Sequence, residues 1–291
     1  MRVITWNVNR RVTRLAEQAT ALAEREPDVV ALQEVSTRTA PMWAAALARI
    51  GLPHSRCSLS GADPGRLPPS RRRTGVLLAA RTPLADAGPP LEVPWPETAL
   101  AARVSGGVRI DTIHVPNAAN GWVKPRTLAA IRAGARVEGE GGRRIVCGDL
   151  NTPRREHPDG TVVSFARDSR ERLRPERGEE WDQAELGVVP GLRDLGYADA
   201  FRALHGYAQR EPSWTFRRIA GHSGGWRLDH LFATTDLHPV AACYHHAWRE
   251  GDLSDHSPLE ADLESQRPDQ GSLRDPWSGR WPSPAAGLLQ R

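Results

Sequence analysis

Lysine is almost absent from this chain. Lys124 is the only one in 291 residues, and arginine makes up the rest of the 39 basic side chains. Guanidinium groups pair bidentately with phosphate, so one reading is phosphate recognition. Arg, Ala, Gly and Pro are abundant along the whole chain rather than in one patch, which fits GC-rich coding DNA better. Cysteine is scarce too: Cys57, Cys147 and Cys243 stand far apart, with no C-x-x-C. That spacing gives no sign of a zinc ribbon or a redox dithiol. An odd count without a disulfide framework suits a reducing cytoplasm. Long hydrophobic runs are missing as well. No membrane span is expected, and Met1 leads straight into Val3-Ile4-Thr5-Trp6 with no signal peptide in between. The net charge of +4 is small, so the pI near 9.4 permits nucleic-acid binding without demanding it.

What is present fits a globular protein with a large core: 39% hydrophobic and 25% charged residues. Short apolar runs predict strands at 2–8, 28–33, 75–80, 98–104, 108–115 and 144–149, and later at 213–217, 226–234 and 257–263. Helical spacing of apolar residues predicts helices at 12–26, 41–50, 124–138 and near 182–195. Residues 56–74 and 153–180 read as long loops, the first rich in Gly and Pro and the second polar and charged. Strands alternate with helices, yet hairpins occur, which predicts a mixed α/β architecture of two packed β-sheets flanked by helices. A single catalytic domain over 1–263 is expected. Residues 264–291, rich in Pro, Ser, Gly and Arg, read as an extended or disordered tail, with docking of Trp277 and Trp281 onto the body as the lesser alternative.

The strands share an unusual habit: they end in polar groups. The sharpest case is Arg144-Ile145-Val146-Cys147-Gly148-Asp149-Leu150-Asn151. Alternation along a strand would point Asp149 and Asn151 the same way. Burying a carboxylate and an amide there is costly unless something binds them. Similar endings are Trp6-Asn7-Val8-Asn9, Gln33-Glu34, His114-Val115-Pro116-Asn117, Trp226-Arg227-Leu228-Asp229-His230 and Ser254-Asp255-His256. Any one alone is an ordinary cap or solvated group. Together they put Glu34, Asp149, Asp229, Asp255, two His and several Asn where open sheets place ligands. Hard oxygen donors suit Mg²⁺, with Mn²⁺ as a substitute, better than zinc. Carboxylates around such a metal, with amides and His beside them, are what phosphodiester hydrolysis needs.

Taken in order, W-N-V-N, L-Q-E, H-V-P-N, G-D-L-N, W-R-L-D and S-D-H-S-P resemble the endonuclease/exonuclease/phosphatase superfamily. They are most similar to its exonuclease III type apurinic/apyrimidinic (AP) endonucleases, from Arg2 to about Leu263. The resemblance implies a four-layer α/β sandwich with its site at one edge of the packed sheets. It also implies roles. Glu34 would be the principal metal ligand, with Asn9, where many relatives have Asp, and Asp255 beside it. Asn7 would hydrogen-bond within the site. Asp149 would orient or deprotonate the attacking water, and Asn151 would stabilise the water or phosphate. Asp229 would polarise His256, a cationic phosphate clamp, and Asn117 would donate to phosphate. Two departures stand out. His114 occupies the place of a Tyr usual in these AP endonucleases; the pancreatic DNase branch is similar to this chain there. A His at that point acts as general acid for the leaving oxygen or only binds phosphate. Residues 153–180 contain no Asn but offer Arg154, Arg155, His157, Arg167, Arg170 and Arg172.

Arg71, Arg72 and Arg73, with Asn120, Trp122, Lys124, Arg217 and Arg218, flank these motifs along the chain, mixing cations and aromatics as nucleic-acid grooves do. Taken alone, the Arg triplet reads slightly better as a solvated loop. Trp214, Trp226 and Leu228 match positions that line the abasic-sugar pocket in exonuclease III relatives, though either Trp could be plain core. The function implied is a Mg²⁺-dependent nuclease cutting DNA at abasic sites or 3′ ends, with DNA as partner, no membrane, and a monomeric state. The alternatives are a non-specific DNase, a hydrolase of smaller phosphodiesters or phosphomonoesters, and a catalytically silent nucleic-acid-binding module.

Overall fold

The computed structural model describes residues 1–60, 74–88, 90–136, 142–217 and 223–265. Arg71, Arg72, Arg73 and Arg218, and the tail with Trp277 and Trp281, lie outside the described residues. Strands β1 (Arg2–Asn7), β2 (Val29–Ser36), β3 (His54–Cys57), β4 (Thr74–Ala80), β14 (Leu237–Tyr244) and β15 (Leu259–Ser265) build a six-stranded sheet in the order β14-β15-β1-β2-β4-β3. Strands β5 (Ala99–Arg103), β6 (Arg109–His114), β7 (Arg144–Asp149), β10 (Tyr197–Asp199) and β13 (Asp229–Thr234) build a second, ordered β10-β13-β7-β6-β5. Both mix parallel pairs, β1–β2 and β6–β7, with antiparallel ones.

Strand alternation explains the layers. Val3 and Ala31 of the first sheet face Ile110, Ile145, Cys147 and Leu231 of the second in one inter-sheet core. Ile4, Trp6, Val30 and Leu32 point the other way, against helices α1 (Leu15–Arg25) and α2 (Ala40–Arg49). Val146 and Phe232 turn outward to helix α3 (Val123–Gly134) and its neighbours. Helix α4 (Gly178–Leu186) packs on α3, and α5 (Ala200–His205) on β13 and β14. The result is the four-layer α/β sandwich. Because both faces of the central strands are covered, those strands read as continuous apolar runs.

Several predicted bounds shift. The helix expected near 182–195 is α4 at 178–186, followed by a separate 3₁₀ turn at Gly191–Leu195, because Gly187 and Pro190 break it. The strand expected at 226–234 is two strands. β12 (Ser223–Trp226) pairs with β11 (Trp214–Arg217) in a small ribbon, and β13 begins at Asp229 in the large sheet. Strands β3 and β14 were not anticipated. Both are sheet edges; β14 carries Pro239 at a register shift, where a missing N–H is tolerated. The expected 153–180 loop carries the short ribbon β8 (Arg155–Glu156) with β9 (Val162–Val163).

Candidate active site

The inner faces of the two sheets meet water at one end, and the polar strand ends gather there. Asn7 lies in line with Val3 and Thr5 on β1, and Asp149 in line with Ile145 and Cys147 on β7, so both point between the sheets. Asn7 Nδ2 donates across the gap to Asp149 Oδ2 at 3.0 Å. Register fixes the rest. His114 on β6 and Asp229 on β13 are the Cα partners of Asp149 on either side. His114 Nε2 lies 3.7 Å from Asp149 Oδ2 and 3.9 Å from Glu34 Oε1.

Glu34 reaches this gap by a backbone irregularity. On a regular strand it would follow Val30 and Leu32 toward the helices. Instead the β2–β4 register slips between Leu32 and Val35, and Glu34 has φ of +57°. A bulge of this kind re-aims a side chain, and the left-handed conformation costs a non-Gly residue about 1 kcal/mol or more. Gln33, one residue earlier, ties the sheets together through Thr5 Oγ1 and Thr112 Oγ1 at 3.1 and 3.2 Å.

Asp149 is buried. Burial raises its pKa, and Asp229 adds to this, while His256, His114 and the Asn7 hydrogen bond oppose it. Its other oxygen, Oδ1, accepts from the Asn151 backbone N–H at 2.9 Å. Asn151 has φ of +50° just past the strand, so it follows Asp149 through a side-chain-closed turn and not through strand alternation. Its Nδ2 donates to Val115 O at 2.8 Å. On the other side, His256 Nδ1 stands 2.8 Å from Asp229 Oδ2, and its Nε2 stands 3.8 Å from Asp149 Oδ2. Burial disfavours the imidazolium, but Asp229 and Asp149 outweigh it and push the pKa up to about 10. Ser213 Oγ accepts from the backbone N–H groups of Leu228 and Asp229, fixing the start of β13.

These groups open into a cleft of about 580 Å³. Glu34, His114, Asn117, Asn120, Asn151 and Asp255 line it, with Asp149 and His256 at its floor. Trp214 and Trp226, stacked with ring centroids 5.3 Å apart, form an apolar wall with Phe165 and Leu228. Trp214 Nε1 donates to Asp255 Oδ2 at 3.2 Å, which joins the wall to the carboxylates.

A profile of the Endonuclease/Exonuclease/phosphatase family matches residues 4–256. The chain belongs to this family. It is a hydrolase, as the family's members are, and they depend on divalent metal. An AP endonuclease from Archaeoglobus fulgidus has the same fold at 23% identity and a TM-score of 0.66, covering 91% of this chain and 99% of its own. A 3′-5′ exonuclease (NExo) from Neisseria meningitidis matches at 24% identity and 0.65, covering 91% and 100%. A 3′ phosphatase NExo structure from Neisseria, bound to a product DNA hairpin, matches at 23% and 0.62, covering 91% and 99%. A search of curated proteins found no match.

The donor set fits the family's metal. Glu34 and Asp255 offer carboxylates in the cleft, and Glu34 Oε2 is buried without an aligned hydrogen bond. Hard carboxylate oxygens of this kind suit Mg²⁺ or Mn²⁺. Asn9 presents its backbone N–H to Asn7 Oδ1 at 3.0 Å and does not line the cleft. Lys124, expected as a cation flanking the site, does line the cleft, but its side chain is buried and pairs with Glu185 at 2.8 Å. Burial lowers its pKa against the pull of Glu185. Trp122 packs edge-on against Trp181 and does not line the cleft. Asn117 Oδ1 is taken by Ala119 N–H and Asn120 Nδ2. Three contributors went unread in the sequence. Arg10 Nε lies 3.2 Å from Glu34 Oε2; Phe165 extends the aromatic wall; Ser213 holds β13. Arg10 directly follows the W-N-V-N motif and Ser213 directly precedes Trp214, which were the available signals.

Proposed function

We propose that this protein is a Mg²⁺-dependent phosphodiesterase that hydrolyses DNA at abasic sites or 3′ ends. The observation that carries it is Asp149, held by Asn7 and flanked by His114 and His256, on the floor of a cleft walled by Trp214, Trp226 and Leu228. Asp149, whose proton affinity is raised by burial, takes a proton from water as the water oxygen attacks phosphorus. The 3′ oxygen leaves and takes a proton from His114. His256, kept cationic by Asp229, binds a non-bridging oxygen as charge builds on it. Mg²⁺ held by Glu34 and Asp255 would neutralise phosphate charge when bound. The apolar wall would admit a sugar without a base and crowd one that carries it.

The DNA-related names of the solved neighbours support this substrate. His114 favours a second reading, a less specific DNase. The two separate on four substrates with Mg²⁺: an abasic duplex, an intact duplex, single-stranded DNA and a small phosphodiester. Incision confined to the abasic duplex or to 3′ ends is expected; equal cutting of intact duplex would sink the pocket reading.

A further inference from the structure

Cys243 and Glu260 are register partners on β14 and β15. Their neighbours Ala242, Tyr244, Leu259 and Ala261 fill the inter-sheet core, so both point to the opposite face of the first sheet, away from the inward-facing catalytic groups. His245 follows at the end of β14. Its Nε2 lies 2.8 Å from Glu260 Oε2 and 3.8 Å from Cys243 Sγ, and the three donor atoms all fall within 4.8 Å of one another. We infer that Cys243, His245 and Glu260 form a second metal site, separate from the catalytic one, for a thiophilic divalent cation of the zinc class.

The geometry and the donor chemistry agree. Tetrahedral zinc bonds of about 2.0–2.3 Å set neighbouring ligand atoms about 3.3–3.6 Å apart. The 3.8 Å between His245 and Cys243 is close to that spacing, the 2.8 Å between His245 and Glu260 has to open by about half an ångström, and all three atoms already lie within 4.8 Å of one another. Thiolate, imidazole and carboxylate leave a fourth position for water. Stacking of His245 on Trp248, at 4.9 Å between ring centroids, fixes the plane of the imidazole. Arg25 donates to both oxygens of Glu260, at 2.8 and 2.9 Å, and Arg2 lies 3.3 Å from it. These guanidinium groups oppose any divalent cation, so the affinity has to come from the bond to the Cys243 thiolate, which favours a thiophilic ion over Mg²⁺. Cys243-x-His245 supplies only two donors along the chain; the third, Glu260, comes from the neighbouring strand.

The test uses the full chain with excess Mg²⁺ to fill the catalytic site, and Co²⁺ as the spectroscopic probe. One equivalent of Co²⁺ should give a thiolate-to-cobalt charge-transfer band that Zn²⁺ removes. Cys243→Ser should abolish the band while leaving phosphodiester hydrolysis unchanged. No thiolate band in the unmodified protein would overturn the site. So would a band that survives in Cys243→Ser, since the sulfur would then belong to another cysteine.

Discussion

His256 Nδ1 lies 2.8 Å from Oδ2 of Asp229, on the strand next to Asp149. One buried carboxylate thereby sets the charge of the imidazole that faces the cleft. Asp229→Asn keeps the shape and removes the charge. The pKa of His256 should fall from about 10 toward the ordinary value near 6.5. Turnover should drop about 100-fold or more, the usual cost of losing one transition-state donor. NMR titration of the His256 ring checks the cause; an unshifted titration would remove Asp229 from that role.

Glu34 has two suitors, a metal and Arg10, whose Nε sits 3.2 Å from Oε2. Glu34→Gln should weaken Mn²⁺ binding about 10-fold or more, as read by electron paramagnetic resonance. Arg10→Ala should strengthen it, because a competing cation is gone. Unchanged binding in Glu34→Gln would place the metal elsewhere.

Much of this site was legible because its residues end strands, where polarity has no packing purpose. Asn7, His114 and Asp149 arrive by plain alternation. Glu34 does not: its orientation depends on a bulge that alternation cannot foresee. Asn151 shares the cleft with Asp149, but a turn and not a strand puts it there. Lys124 does line the cleft beside these motifs, but only the distant Glu185 reveals that its charge is held in a buried ion pair. Strands β3 and β14 escaped notice because an edge strand needs no continuous apolar run.

A second charged cluster supports the fold beside the site. Glu156 lies between Arg202 and Arg227, each 2.6 Å away, and Arg227 also holds Asp199 at 2.7 Å. Burial would raise the Glu156 pKa, but Arg227 and Arg202 bring it down from 4.5 to about 2. The folded state thus binds this proton less readily than the unfolded chain does. Its stabilisation is fully present above about pH 4.5 and is lost as pH falls toward 2, amounting to about 3 kcal/mol. Glu156→Gln should therefore be less stable than the unmodified protein at pH 7, with the gap narrowing below pH 4. Urea unfolding at both pH values reads this; a constant gap would contradict it.

If Asp149 takes the proton from water in phosphodiester hydrolysis, single-turnover cleavage of an abasic DNA duplex with Mg²⁺ will separate the unmodified protein from Asp149→Asn. The amide keeps the size of the side chain but cannot take a proton from water. The prediction is a rate loss of about 100-fold or more, with an unchanged circular dichroism spectrum and unchanged DNA binding. Cleavage by Asp149→Asn at the unmodified rate would mean that another group takes the proton from water.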